Sequence, residues 1–359
     1  MRIWSNPPSF KNYRPRILPL LLLLFVASHP SFAEGQITAV TGPITVQQLE
    51  NFVATVRGKP DAEVASEIAG MELTERLSAV RFARCQANLS GPRAKTALLV
   101  LADRSAVLDP PADEILAKEN PDLATQKKMI ALTVDYVNNT IHRLPNLSAT
   151  RITTTFERVS TSKKPMHPAA KSSVVILYRD GQEQVRSRRL YKAVGLTTSG
   201  EFGPILNTAL LDAVHGNLQW SRWEQGAAGP EAVFRYSINS RKSHYNVDGV
   251  TTAYSGEIAI DPSSGAILRI VFRTDLDLSN PFGMFSPLSR TADISLEYGP
   301  VELGGKTYIC PLKGVALSNR MDLTSSMQPD LMWLNDRVFE NYHLFRSDVR
   351  IIPDFNEVH

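Results

Sequence analysis

The chain is 359 residues long, 43% hydrophobic, 21% charged and 8% aromatic, with 39 basic residues against 36 acidic ones and a formal net charge of +3. Scattered Gly (20) and Pro (23) and only two Cys exclude collagen-like, disulfide-scaffold and strongly disordered architectures. A basic balance raises nucleic acid as a partner class, so the location of the excess charge has to be established first.

Residues 1–16 carry Arg2, Lys11, Arg14 and Arg16 and no acid, and Ile17 to Ala27 form a short apolar run. Small residues follow at Ser31 and Ala33. This is the layout of a secretory signal over residues 1–33, and it predicts cleavage after Ala33 and a periplasmic or secreted product. The apolar run contains Pro19 and falls short of the roughly 20 residues that span a bilayer, so no transmembrane segment is expected after cleavage. Four of the 39 basic residues leave with the signal, so 35 face 36 acids and the mature chain stands near −1. With the excess charge assigned to targeting, nucleic acid is not an expected partner.

Residues 34–145 read as helices. Thr45-Val-Gln-Gln48 fits a capping box, and Val46, Leu49, Val53 and Val56 follow at helical spacing. Gly58-Lys-Pro60 closes that helix, Asp61 is placed to cap the next, and Leu73, Leu77 and Val80 continue the period. Pro92 suits the first turn of a helix over about 93–107, which Asp109-Pro-Pro111 stops. A longer helix is expected at 122–143, with Asp122 as cap and Ile130, Val134, Val137 and Ile141 on one stripe.

From residue 146 the period becomes 2, the mark of half-buried strands. Ile152, Thr154 and Phe156 alternate with polar neighbours; Asp180-Gly181, Asp261 to Gly265 and Gly304-Gly305 read as hairpin turns. Leu268, Ile270 and Phe272 face away from Arg269 and Arg273, and 337–350 reads as a last strand. Within this region, 203–215 is a helix opened by Pro204 and closed by Gly216, apolar on nearly every side and therefore expected to be enclosed. Together these predict an α+β protein: a helical N-terminal region packed on a large curled antiparallel β-sheet, half-barrel-like, enclosing an apolar helix.

The runs Glu72 to Leu77, Leu101 to Ser105 with Asp109-Pro-Pro111, Leu144 to Arg151, Gly200 to Pro204 and Tyr298 to Pro311 resemble those of a family of uncharacterised secreted bacterial proteins. The family brings no catalytic residues to carry over. In architecture the sheet half is similar to the half-barrel of outer-membrane lipoprotein carriers and related lipid-binding envelope proteins, which implies an apolar ligand on the concave face.

Catalytic templates fail one by one. No His-Glu-x-x-His helix, Gly-x-Ser-x-Gly elbow, phosphate loop or dinucleotide fingerprint is present. Ser160-Thr-Ser-Lys163 matches Ser-x-x-Lys in form, but it lies in a polar loop. The stretch from Asp275 starts like a calcium loop and then has Asn280 and Ser286 where Gly and Glu are required. No cofactor, metal site or catalytic residue is expected. Ile205, Leu206, Ala209, Leu210 and Val214 of the inserted helix, with Trp220, Trp223, Phe234 and Tyr236, are candidates to line an apolar pocket, or are simply core.

Residues 158–192 hold nine basic and two acidic residues, a local balance of +7. Within them Arg179, Arg186, Arg188, Arg189 and Lys192 form a basic patch that would meet an anionic envelope component or an acidic protein partner, or that only keeps a sheet edge solvated. In an exported protein Cys85 and Cys310 are chemically free to pair, and two buried thiols are the alternative. The expected function is non-enzymatic: binding of a lipid or other amphiphile in the concave face, or alternatively an envelope interaction or scaffold role without a small ligand.

Overall fold

A computed structural model describes residues 42–140, 144–160, 162, 164–186, 195–247, 250–274, 288–321 and 331–345. The expected signal segment, Ile141, Lys163, the 275–286 loop, Arg188, Arg189, Lys192 and 346–350 lie outside them.

Five helices come first: α1 (Val46–Thr55), α2 (Asp61–Ala69), α3 (Ala79–Ala87), α4 (Pro92–Ser105) and α5 (Leu123–Asp135), the last unwinding through a π turn at Tyr136–Thr140. The reciprocal cap forms as the sequence predicts: the Gln48 N–H donates to Thr45 Oγ1 at 3.2 Å and the Thr45 N–H to Gln48 Oε1 at 2.9 Å. Leu73 and Leu77 are buried but not helical. Ile44 takes the segment after α2 into a short parallel bridge with Leu73, because the Ile44 N–H reaches Glu72 O at 2.7 Å and the Thr74 N–H returns to Ile44 O at 3.0 Å.

Asp61 also acts differently from its expected role. Pro60 occupies the cap position of α2, while the Asp61 carboxylate accepts from the Arg93 and Ala94 N–H groups at 3.1 and 2.9 Å, capping α4. Gly91, at the α4 cap position, has no side chain to do this, and a Cβ there would lie 1.9 Å from Asp61 Cγ.

The strands are β1 (Leu147–Val159), β2 (His167–Arg179), β3 (Gln182–Arg186), β4 (Asn217–Gln225), β5 (Pro230–Ile238), β6 (Asn246–Val247), β7 (Val250–Thr251), β8 (Tyr254–Ile260), β9 (Ile267–Arg273), β10 (Leu288–Leu303), β11 (Lys306–Met321) and β12 (Leu331–Leu344). Ten form one antiparallel sheet in the order β3-β2-β1-β12-β11-β10-β9-β8-β5-β4, while β6 and β7 pair separately. The large sheet is curled but not closed, so β3 and β4 are its edges. Asp180 and Gly181 turn β2 into β3 with φ of 52° and 78°, as the hairpin requires.

Strand alternation gives the sheet two covered faces. Ile258, Ile270, Phe272, Ile294 and Leu296 point to α5 and to α6 (Pro204–His215). On the opposite face Phe156, Val315 and Leu334 pack with Val100 and Ala106 from the α4 region. The helices and the sheet thus share cores, and both fall within one compact unit.

The inserted helix α6 is covered on one side only. Ile205, Leu206, Ala209, Leu210 and Ala213 are buried, but Leu211 and Val214 are 41% and 46% exposed. The sheet is open, so it can cover one side of this helix without wrapping it. Asp212 anchors the helix from its buried side, accepting from the His244 N–H at 2.8 Å and the Tyr254 hydroxyl at 2.7 Å.

Candidate functional site

The sheet face under α6, where the sequence places the pocket, is filled. Trp220 packs edge-on against Trp223 and Phe234, with ring centres 5.0 and 5.4 Å apart. The two indoles donate to the 119–120 segment: Trp220 Nε1 to Asn120 Oδ1 at 3.1 Å, and Trp223 Nε1 to Glu119 O at 2.9 Å. The Tyr236 hydroxyl donates to Val271 O at 2.5 Å. Of the nine residues read from the sequence as pocket candidates, Val214 faces outward and the other eight pack in or against one core. A void beside α6, between Tyr136, Phe202, Leu206 and Tyr298, measures about 10 Å³, too little for an acyl chain.

A large opening lies on the other side of the molecule. A groove of about 470 Å³ runs between α2, α4 and the β1–β2 connection. It exists because α2 presents Ala62, Ala65 and Ala69, at i, i+3 and i+7, where longer side chains would fill the space. Ile68, Val100, Leu101 and Met166 add apolar wall. The Asp61 carboxylate meets the start of α4, and Glu72, just past α2, approaches Arg104 near its end at 3.7 Å. The two helices therefore run side by side in the same direction. The lining on α4 extends from Arg93 to Arg104, which at the helical rise is roughly 16 Å.

Charge in the groove has one sign. Arg93, Arg104 and Arg158 line it, and among the described residues no acid does. Burial lowers the Arg104 pKa, and so does the positive charge of Arg158; exposed Glu72 opposes both. Arg158 Nε is buried with no hydrogen-bond partner among the described residues. An unmatched buried donor of this kind costs about 1–3 kcal/mol, more when it is charged.

Elsewhere buried arginines face carboxylates, although nitrogens of Arg76, Arg151 and Arg337 also lack a hydrogen-bond partner. Arg222 lies 2.8 Å from Glu257 and 2.9 Å from Glu224; Arg269 lies 3.2 Å from Glu224; Arg76, reaching over from the helical layer, also pairs with Glu224. Burial raises the Glu257 pKa, but hydrogen bonds and charge from Arg222, together with Arg269 and Arg235, outweigh it and hold it down at about 2. Arg269 faces away from Ile270 and Phe272, as the alternation predicts, but is 6% exposed under the helical layer. A second cluster joins Arg337 to Glu201 at 2.9 Å, with Arg151 and Glu183 beside them. There burial first, and then the Glu201 charge, push Glu183 up to about 7.

The basic patch is only partly within the described residues. Arg179 is exposed beside Asp180, and Arg186 ends β3 at the sheet edge. Cys85 and Cys310 are buried free thiols in separate hydrophobic clusters, so the structure holds no disulfide between them. Burial pushes the two thiols up to about 11 and about 12. Among the described residues no helix is long and apolar enough to cross a membrane.

The alanine stripe of α2 was the sequence signal for the groove. Arg158, by contrast, joins Arg104 only through the fold, and its residue type carries no local mark of that meeting. No family model, curated protein or solved structure matches this chain.

Proposed function

We propose that this is an exported, non-enzymatic protein that binds an amphiphile, and that the binding site is the α2–α4 groove. The observation that carries the reading is the groove's size and lining: about 470 Å³ falls within the few hundred to a thousand Å³ typical of small-molecule sites, and its walls are mostly apolar. The filled face under α6 argues for moving the site from where the half-barrel resemblance puts it. Export rests on the basic and apolar leader and the small residues that follow it.

Uptake of a fluorescent fatty acyl probe by the purified protein tests the reading. Each methylene buried is worth about 0.8 kcal/mol, so affinity should tighten about fourfold per added carbon until the groove is full. Ala65→Phe occupies the groove from a half-buried position, and should abolish uptake while leaving the far-UV circular dichroism unchanged. Absence of uptake by the unaltered protein, or undiminished uptake by a folded Ala65→Phe variant, removes the proposal.

A further inference from the structure

The groove is apolar along its length but electrically one-sided, and that asymmetry bears on what its ligand must look like. Arg104 sits in the last turn of α4 and Arg158 on β1, and both line the same groove. Part of Arg104 has a structural account, since a cation in the last turn complements the helix dipole, and Glu72 approaches it at 3.7 Å. Glu72 is 65% exposed in its side chain, so that pairing is weak. Arg158 has no such account. No carboxylate pairs with it among the described ion pairs, its Nε is buried without a hydrogen-bond partner, and its charge bears on Arg104. Buried guanidinium groups elsewhere, Arg222, Arg269 and Arg337 among them, face carboxylates even where one nitrogen, as in Arg337, lacks a hydrogen-bond partner, so the missing carboxylate is what sets Arg158 apart. A cation that lines an open groove with no carboxylate beside it leaves its charge for an anion from outside the chain.

We propose that Arg104 and Arg158 bind the anionic headgroup, a carboxylate or a phosphate monoester, of a single-chain amphiphile whose tail lies along α4 against Ala65, Ala69 and Ala97. This rests on the reading of the groove as the amphiphile site and adds the chemical class of the ligand. Two guanidinium groups can supply several N–H donors in fixed planes, which suits a two- or three-oxygen anion better than a hydroxyl or an amine. Roughly 16 Å of α4 lining, from Arg104 back to Arg93, gives the tail its track.

The test is displacement of a bound fluorescent fatty acid by myristate, myristyl phosphate and myristyl alcohol, which share one tail and differ in head. The unaltered protein should bind the preferred anion at least tenfold more tightly than the alcohol, with the preference shrinking as salt is raised. The stronger of the two anions names the head. Arg158→Met and Arg104→Met should erase the preference and leave alcohol binding within about twofold. Equal binding of alcohol and anions overturns the headgroup assignment while the groove reading stands, and so does a preference that survives in a folded Arg158→Met variant. Failure of all three to displace the probe overturns both. Should either variant fail to fold, the head preference of the unaltered protein and its salt dependence decide the matter.

Discussion

Asp103 shows how much one buried carboxyl can control in this fold. It sits on α4 with its carboxylate 2.6 Å from Lys313 of β11, and Lys313 lies 3.5 Å from Asp336 of β12. Two carboxyl groups therefore share one ammonium. Burial, and then the Asp336 charge, outweigh the pull of Lys313 and push Asp103 up to about 7. A carboxyl whose pKa is raised on folding contributes stability that is present below its ordinary pKa, near 4, and lost as pH rises through about 7. Asp103→Asn removes this dependence. The melting temperature of the variant relative to the unaltered protein should increase between pH 4.5 and pH 7.5, corresponding to on the order of 2–4 kcal/mol. Thermal unfolding at the two pH values checks it, and an unchanged difference would show that Asp103 is already ionised.

At the scale of the element, the Asp61 cap links two helices that the sequence treats separately. Its carboxylate accepts the first free N–H groups of α4 across the bare face of Gly91, and so holds the two walls of the groove in register. Asp61→Ala should cost about 1 kcal/mol, the usual worth of an N-cap. It should also weaken fatty acyl probe binding without touching the lining residues. Chemical denaturation and a probe titration measure the two effects, and a stability loss with unchanged binding would separate the cap from the groove. The last strand shows why some elements were only partly legible. β12 begins at Leu331, ahead of the expected 337, and Asp336 and Arg337 at its centre are 5% and 3% exposed. A strand covered on both faces and carrying buried charges loses the alternation by which half-buried strands are recognised.

Across the whole molecule, the helical layer is held to the sheet through charge as well as apolar contact. Arg76 from the helical layer enters a network with Glu224, Arg222, Glu257 and Arg269 on the sheet, and Arg235 of the sheet reaches Asp109 in the loop after α4. Glu257, held down at about 2, contributes stability that is fully present above its ordinary pKa of about 4.5 and lost as pH falls through 2. At neutral pH that contribution is about 3 kcal/mol. Arg222→Met leaves buried carboxylates unmatched and should cost about 3–5 kcal/mol. It should also move the acid-unfolding midpoint upward, because less positive charge remains to hold Glu257 ionised. An acid titration followed by tryptophan fluorescence reads both, and an unmoved midpoint would assign the acid response to other groups.

Local chemistry made much of the architecture readable. The Thr45–Gln48 cap, the Asp180-Gly181 hairpin, the Pro204 helix start and the change of period near residue 146 each depend on residues within a few positions of one another, and each appears as expected. Coverage of a surface depends on residues far apart, and there the sequence was silent. The burial of Arg269 is not legible, because alternation reports that a side chain points away from one core, not that a second layer waits on the other side. Leu211 and Val214 read as enclosed because composition cannot say how far an open sheet curls. The groove, too, needed the fold. The small residues of α2 mark a close approach or a gap with equal force, and placing α4, Arg104 and Arg158 around them makes it a gap with a pair of arginines on its wall.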